Sequence, residues 1–117
     1  EMIKTHYFIV AVNQQSQIVG FSSITSQGYL HSMFVHKDFQ GKGIATMLLE
    51  EIERYAITAG ITRITSEVSL TARPFFEKKG YAVEKEQKRK ANQLSLTNFL
   101  MAKEVAFLEY YNKKVTD

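Results

Sequence analysis

"VHKDFQGKGIATMLLEEIERYA", residues 35–56, changes character twice. It leaves an apolar, β-branched run, crosses a turn with two glycines and enters a segment of helical period. Gly41 and Gly43 lack a Cβ, so backbone can approach a ligand closely and N–H groups can converge there. Ile44, Met47, Leu48, Ile52, Tyr55, Ala56 and Ala59 then recur at three- and four-residue steps, which predicts a helix over 43–59. Gly60 follows the last periodic residue and suits a left-handed C-terminal cap. The helix start aims free N–H groups and the positive dipole end back at the turn. Lys42 adds a full positive charge. Strand, glycine turn and helix N-terminus together predict a pyrophosphate cradle.

Two other phosphate motifs fit less well. A P-loop needs G-x-x-x-x-G-K-[ST], which "GKGIAT" does not supply. A Rossmann turn needs a third glycine where Thr46 stands, and it follows the first strand of its fold. Here the preceding strand is the third, after an antiparallel hairpin.

That order comes from reading outward. "YFIVAV" (7–12) and "IVGFSSI" (18–24) flank "NQQSQ" and read as a hairpin. "YLHSMFV" (29–35) is a third strand after the turn "SQG". Beyond the helix, "ITRITSEVS" (61–69) is a strand again. A strand–helix–strand unit predicts that 29–35 and 61–69 run parallel. "TARPFFEKKG" holds a second, short helix, with Thr71 as cap, Pro74 in the first turn and Gly80 at the end. "YAVEKEQ" and "LSLTNFLMAKEV" are two more strands, joined by "KRKANQ". The last stretch, "AFLEYYNKKVTD", reads as a short docked helix or a tail. The predicted order is β-β-β-α-β-α-β-β: one α/β domain over residues 1–117 with a mixed, mostly antiparallel sheet.

Composition narrows the classes. A chain of 117 residues fits one domain, and 44% hydrophobic with 23% charged residues is a globular balance. The absence of cysteine excludes disulfides and thiolate metal sites. No H-x-x-x-H or acidic cluster stands at ligand spacing, so no metal is expected. There is no signal-peptide pattern and no run of about 18 apolar residues, so no membrane association and a cytoplasmic location are expected. The formal charge of +3 favours anionic ligands in general. The basic run in 84–93 is broken by glutamate and glutamine. It reads as a solvated hairpin edge, where lysines block edge pairing, rather than as a nucleic-acid site.

At the glycine turn the chain resembles the GCN5-related N-acetyltransferases. "QGKGIA", Gln40 to Ala45, matches the hallmark Q/R-x-x-G-x-G/A at every fixed position. "ARPFFEKKGY" is similar to the later A-x-x-x-Y-x-x-x-G-F segment, and the resemblance covers residues 5–104. It implies acetyl transfer from acetyl-CoA to a primary amine of a small molecule or protein by direct attack. It also implies that the pyrophosphate sits on backbone N–H groups of Gln40, Gly41, Lys42, Gly43, Ile44 and Ala45. Met33, Phe34 and Val35 would pair with the pantetheine arm as an extra strand. The parallel strands would splay around the thioester, and the N–H of Val35 or its neighbour would polarise the carbonyl. Phe75 and Phe76 would pack on the CoA arm, and Ser69 takes the place of a usual asparagine.

The departures bear on chemistry. Phe76 stands where the family often has a tyrosine as general acid. A CoA thiolate leaves readily and water can protonate it; general acid–base help is typically worth about 10²–10⁴-fold. Two side chains are candidate bases for the amine. Glu67 lies near the end of the second splayed strand. His31 lies four residues before Val35, hence on its face. The strand and two helices that the family places before the hairpin, which shape the acceptor pocket, are missing. Two alternatives follow: a trimmed chain, or a short member that completes its site through a partner, with a homodimer left open. A second functional reading is a CoA-binding regulatory module without turnover.

Overall fold

Alternating apolar residues on three consecutive strands build the first sheet. The structure, a computed structural model, describes residues 5–91 and 94–105. β1 (Thr5–Val12), β2 (Ile18–Thr25) and β3 (Leu30–Val35) form an antiparallel meander. A 3-10 turn at Lys37–Phe39 leads to α1 (Ile44–Thr58), then β4 (Arg63–Ser69), α2 (Arg73–Lys78), β5 (Ala82–Ala91) and β6 (Leu94–Glu104). The predicted order of strands and helices holds. The mixed sheet is resolved into two antiparallel sheets of order β1-β2-β3 and β4-β6-β5. Among the described residues they join at an isolated parallel bridge, Tyr29 to Thr65.

α1 covers one face of the first sheet. Its buried stripe is Leu48, Leu49, Ile52 and Ala56. Two positions of the predicted stripe turn outward: Met47 is 61% exposed, and Ala59 lies on the surface, while Leu49 takes the inner place. Tyr55, on the flank, stacks on Tyr7 with ring centroids 4.1 Å apart. The helix sits close to β2 because Gly20 has no side chain: a Cβ there would meet the Phe34 carbonyl oxygen at 2.8 Å and Leu48 Cδ1 at 3.3 Å. The C-terminus closes as the glycine predicted. Gly60 N–H donates to Ile57 and Ile61 N–H to Ala56, the paired bonds of a Schellman cap.

α2 is capped differently from the expectation. Its N-cap position is Ala72, and Thr71 makes no cap; Ser69 Oγ accepts the Ala72 N–H at 3.1 Å instead. The reason is register: the helix starts a residue later than the sequence suggests, so Thr71 is too far out. "KRKANQ" is also corrected. Lys88 to Ala91 continue β5, pairing with Thr97 to Leu94. Lysines are no obstacle there, because β5 is an edge strand of its sheet and its exposed side chains reach water. The ambiguous stretch 106–117 lies outside the described residues. Among those described, no helix is long and apolar enough to cross a membrane.

Ile24, Leu30, Leu49, Ile52, Ile64, Val68, Phe76, Tyr81, Phe99 and Met101 form one core between the sheets and helices. A polar group closes its lower side. Tyr81 donates its hydroxyl to Glu53 at 2.8 Å, and Lys103 pairs with Glu53 at 3.2 Å and donates to the Lys79 carbonyl at 2.9 Å. Burial, then the Glu53 charge, pushes the Tyr81 phenol above its ordinary value of 10.0. A raised folded value means stability that is intact below pH 10 and is lost as pH rises past it. Tyr81→Phe is therefore expected to cost about 1–2 kcal/mol at neutral pH. It should also lose less stability than the parent between neutral and strongly alkaline pH, as measured by urea denaturation across that range.

Candidate functional site

The site begins with a fault in β3. Tyr29 accepts from Thr25 N–H, so its backbone faces β2; Leu30 next to it turns its carbonyl to β4, where Ser66 Oγ donates to it at 3.0 Å. Strict alternation would send His36 to the β4 side as well. Its N–H instead donates to Val19 of β2. One residue is extra between them. Pairing locates it, since Ser23 faces Ser32 but Ile24 faces Leu30, which leaves His31 in a bulge. Past the bulge the parity is reversed. Met33 and Val35 now turn their backbone groups away from β2 and toward β4.

There β4 has already parted from β3. Beyond Tyr29 and Thr65 the two strands make no further bridge among the described residues. The space between them opens into a cleft of about 900 Å³. His31, Met33 and Val35 line one wall, and Glu67, Ser69, Phe75 and Phe76 the other. Gln40, Gly41, Gly43, Ile44 and Ala45 form the mouth.

The mouth has the properties of an anion site. Gly43 is the N-cap of α1 in the left-handed region, with φ 82°, and no side chain caps the amides that follow. Met47 N–H makes the helix's first bond, back to the Gly43 carbonyl. No acidic residue occupies the first turn. The free N–H groups and the dipole therefore face the cleft without competition. A Cβ on Gly41 or Gly43 would meet nothing within 4 Å. What demands glycine here is the positive φ, not a neighbouring protein atom. Gln40 holds the turn against the sheet: its Nε2 donates to the Val35 carbonyl at 3.3 Å. The preceding 3-10 turn is fixed by His36, whose Nδ1 accepts the Asp38 N–H at 3.1 Å.

Most residues singled out from sequence meet in this cleft. Two do not. Phe34 faces the wrong way, because its backbone pairs with Phe21 on β2 and its ring stacks on Phe21 at 5.3 Å, on the open face of the sheet. The bulge is the cause, and the expectation that Phe34 lends backbone to an added strand is corrected. Lys42 points to solvent and does not line the cleft. His31 reaches the cleft as the bulge residue rather than by simple alternation from Val35, with its ring edge-on to Tyr29 at 6.1 Å. Phe76 is 5% exposed and packs edge-on to Phe75 and Tyr81, so it is core as well as wall. Sequence reading missed Phe39, Thr46, Ser32 and Ser66, which also line the cleft. For Thr46 a signal existed, its place in the first turn of α1. For Ser66 only the adjacency to Glu67 hinted at it.

The order of these parts is a long cleft with an uncapped, acid-free helix start at its mouth and inward-turned amides along its wall. Comparison with known proteins agrees. The family model described as an acetyltransferase (GNAT) domain matches residues 1–104. The chain is 29% identical over 101 residues to an uncharacterized N-acetyltransferase, YafP, of Escherichia coli (strain K12), covering 86% of this chain and 62% of that protein. It is 32% identical over 74 residues to the peptidyl-lysine N-acetyltransferase YjaB of Salmonella typhimurium, covering 63% of this chain and 49% of that one. A crystal structure of a GCN5-related N-acetyltransferase from Rhodopseudomonas palustris superposes with a TM-score of 0.76 at 28% identity, covering 84% of this chain and 61% of that one. The chain belongs to the GNAT acetyltransferase family. It spans about three fifths of the length of YafP and of the Rhodopseudomonas palustris protein, and about half of YjaB.

The geometry of the mouth makes a direct claim. An L residue at Gly43 must adopt a left-handed backbone, at roughly 1–2 kcal/mol, with no clash to add to it. Gly43→Ala should lose about that much stability by urea denaturation, while Gly43→Asn, which tolerates this region better, should lose less. Equal losses would mean that φ is not what selects glycine.

Proposed function

We propose that this chain binds acetyl-CoA in the cleft and transfers its acetyl group to a primary amine. The observation that carries the reading is the pairing of an uncapped, acid-free helix start with the inward-facing backbone of Met33 and Val35 in one continuous cleft. The residues fit the group. A pyrophosphate needs convergent N–H groups, which Gly41 to Ala45 offer. An extended, amide-bearing arm needs strand-like partners, which Met33 and Val35 offer. From Val35 down to Leu30 the strand runs roughly 16 Å, at about 3.3 Å per residue, the reach of an extended pantetheine arm.

With the thioester beside the inner stretch of β3, a cleft-facing N–H of that strand, Met33 being nearer than Val35, can donate to its carbonyl oxygen and stabilise the charge that develops there. The amine attacks the carbonyl carbon, the C–N bond forms, and the C–S bond breaks with the electron pair leaving on sulfur. Glu67 and His31, on opposite walls, are the groups placed to accept the amine's proton. Phe76 offers none to the sulfur, so the thiolate takes its proton from water. Ser69, Phe75 and Phe76 pack on the arm. The acceptor is a primary amine of a small molecule or protein, met in the cytoplasm. YjaB, named for peptidyl-lysine, makes a protein lysine one candidate.

One observation favours a second reading, a CoA-binding module without turnover: the buried, hydroxyl-free Phe76. The tests separate the two. Acetyl-CoA should raise the melting temperature, as any ligand of the native state does, and Gly43→Asp should abolish the rise by putting a carboxylate in the cradle. An unchanged melting temperature in the parent chain sinks both readings. Release of free CoA thiol with a panel of amines supports transfer; tight binding with no release on any amine supports the module.

The base is tested by pH. Glu67→Gln and His31→Gln should each be compared with the parent in kcat/KM from acid to alkaline pH. The true base should show a fall of about 10²–10⁴-fold and lose the acid limb of the profile. A variant whose profile overlays the parent's removes that side chain from the mechanism.

A further inference from the structure

The closed end of the cleft rests on one hydroxyl. Ser66 is 6% exposed, lines the cleft, and donates to the Leu30 carbonyl across the strand boundary. A regular parallel ladder continuing from the Tyr29–Thr65 bridge would give that carbonyl to a β4 backbone amide. The serine takes it instead. The hydroxyl therefore does two things at once. It satisfies a buried carbonyl at the last point of contact, and it occupies the carbonyl that the next rung of the ladder would use. On the β3 side the first residue past Leu30 is His31, in the bulge, so the ladder has room for the Leu30 rung and no more.

We propose that Ser66 is a positioning residue that fixes where β3 and β4 part, and so sets the room for the acyl group at the inner end of the cleft. This deepens the acetyl-CoA reading and rests on it. The two ends of the cleft have separate anchors. The mouth at Gly41–Gly43 holds the nucleotide end, and the Ser66–Leu30 contact limits the acyl end. Without the hydroxyl, Leu30 keeps a buried carbonyl with no partner, which is costly. The strands can restore it by pairing one step further. That step draws the walls together where the acyl group sits and leaves the mouth unchanged.

The consequence is a change in discrimination, not a general loss of binding. In titrations followed by calorimetry, Ser66→Ala should bind free CoA within about twofold of the parent. It should bind acetyl-CoA about tenfold more weakly, and propionyl-CoA more weakly still, the scale expected when a pocket changes by the size of a methylene. Ser66→Thr, which keeps the hydroxyl, should restore the acetyl-CoA to CoA ratio, and Ser66→Cys, a weaker donor of similar size, should fall between. These two variants carry the test if Ser66→Ala does not fold. A Ser66→Ala protein with the parent's ratio overturns the proposal, as does equal weakening of CoA and acetyl-CoA. Absence of binding to either ligand in the parent chain overturns the acetyl-CoA reading itself, and the proposal with it.

Discussion

β3 and β4 touch at one parallel bridge and then separate, and the site exists only because they do. Open backbone between strands is expensive, since each unpaired group inside a protein loses its water without gaining a partner. The molecule meets that cost locally. Each of the two strands is paired on its other side, β3 by β2 except at the His31 bulge and β4 by β6, so the gap exposes little more than one edge of each. The Leu30 carbonyl is taken by Ser66 and the Val35 carbonyl by Gln40. What stays turned inward is the part of the edge that a ligand strand can use. An edge held open in this way is a binding surface for anything extended and amide-bearing.

α1 connects this gap to the core. Its buried stripe packs on the first sheet, and Gly20 lets it sit low enough that Leu48 lies against β2. Its start lies at the cleft mouth, so the packing that stabilises the fold also aims the helix amides. Glu53 on the same helix holds Tyr81, just before β5, and Lys103 of β6. The helix thus ties both sheets together on the side away from the gap. The strands can part without the sheets coming apart, and the site sits on rigid elements rather than on a loop.

Legibility followed locality. The strand–turn–helix unit around "QGKGIA" could be read because a glycine pair, a strand before it and a helix after it lie close together in the chain. The element order could be read from period changes alone. The bulge could not. "YLHSMFV" alternates as any strand does, and its extra residue shows only against the partner, where Ile24 skips His31 to reach Leu30. That one hidden residue decided that Phe34 faces β2 while Met33 and Val35 face the cleft. The stripe on α1 was misread for a related reason. Met47 and Leu49 flank Leu48, and which of them turns inward depends on where the second sheet lies, not on spacing. Ser69 and Thr71 compete in the same way for the start of α2, and a shift of one residue settled it. Ser66 had no sequence signal of its own, because a buried serine in a strand is unremarkable until its hydroxyl is seen on another strand's carbonyl.

The aromatic wall shows what the cleft does not supply. Phe76 is held edge-on between Phe75 and Tyr81, so its place is fixed by packing whether or not a ligand is present. The neighbouring phenol cannot substitute for the hydroxyl that Phe76 lacks. Tyr81 is buried, its proton is committed to Glu53, and burial makes that proton harder to release. On the proposed reaction, then, little acceleration comes from a side-chain acid. It has to come from placing an already good leaving group in line with the amine and from amides preset around the carbonyl, which are worth most where water is excluded. Both depend on the distance between β3 and β4. On that reading the spacing of two strands does work that other proteins can assign to a hydroxyl.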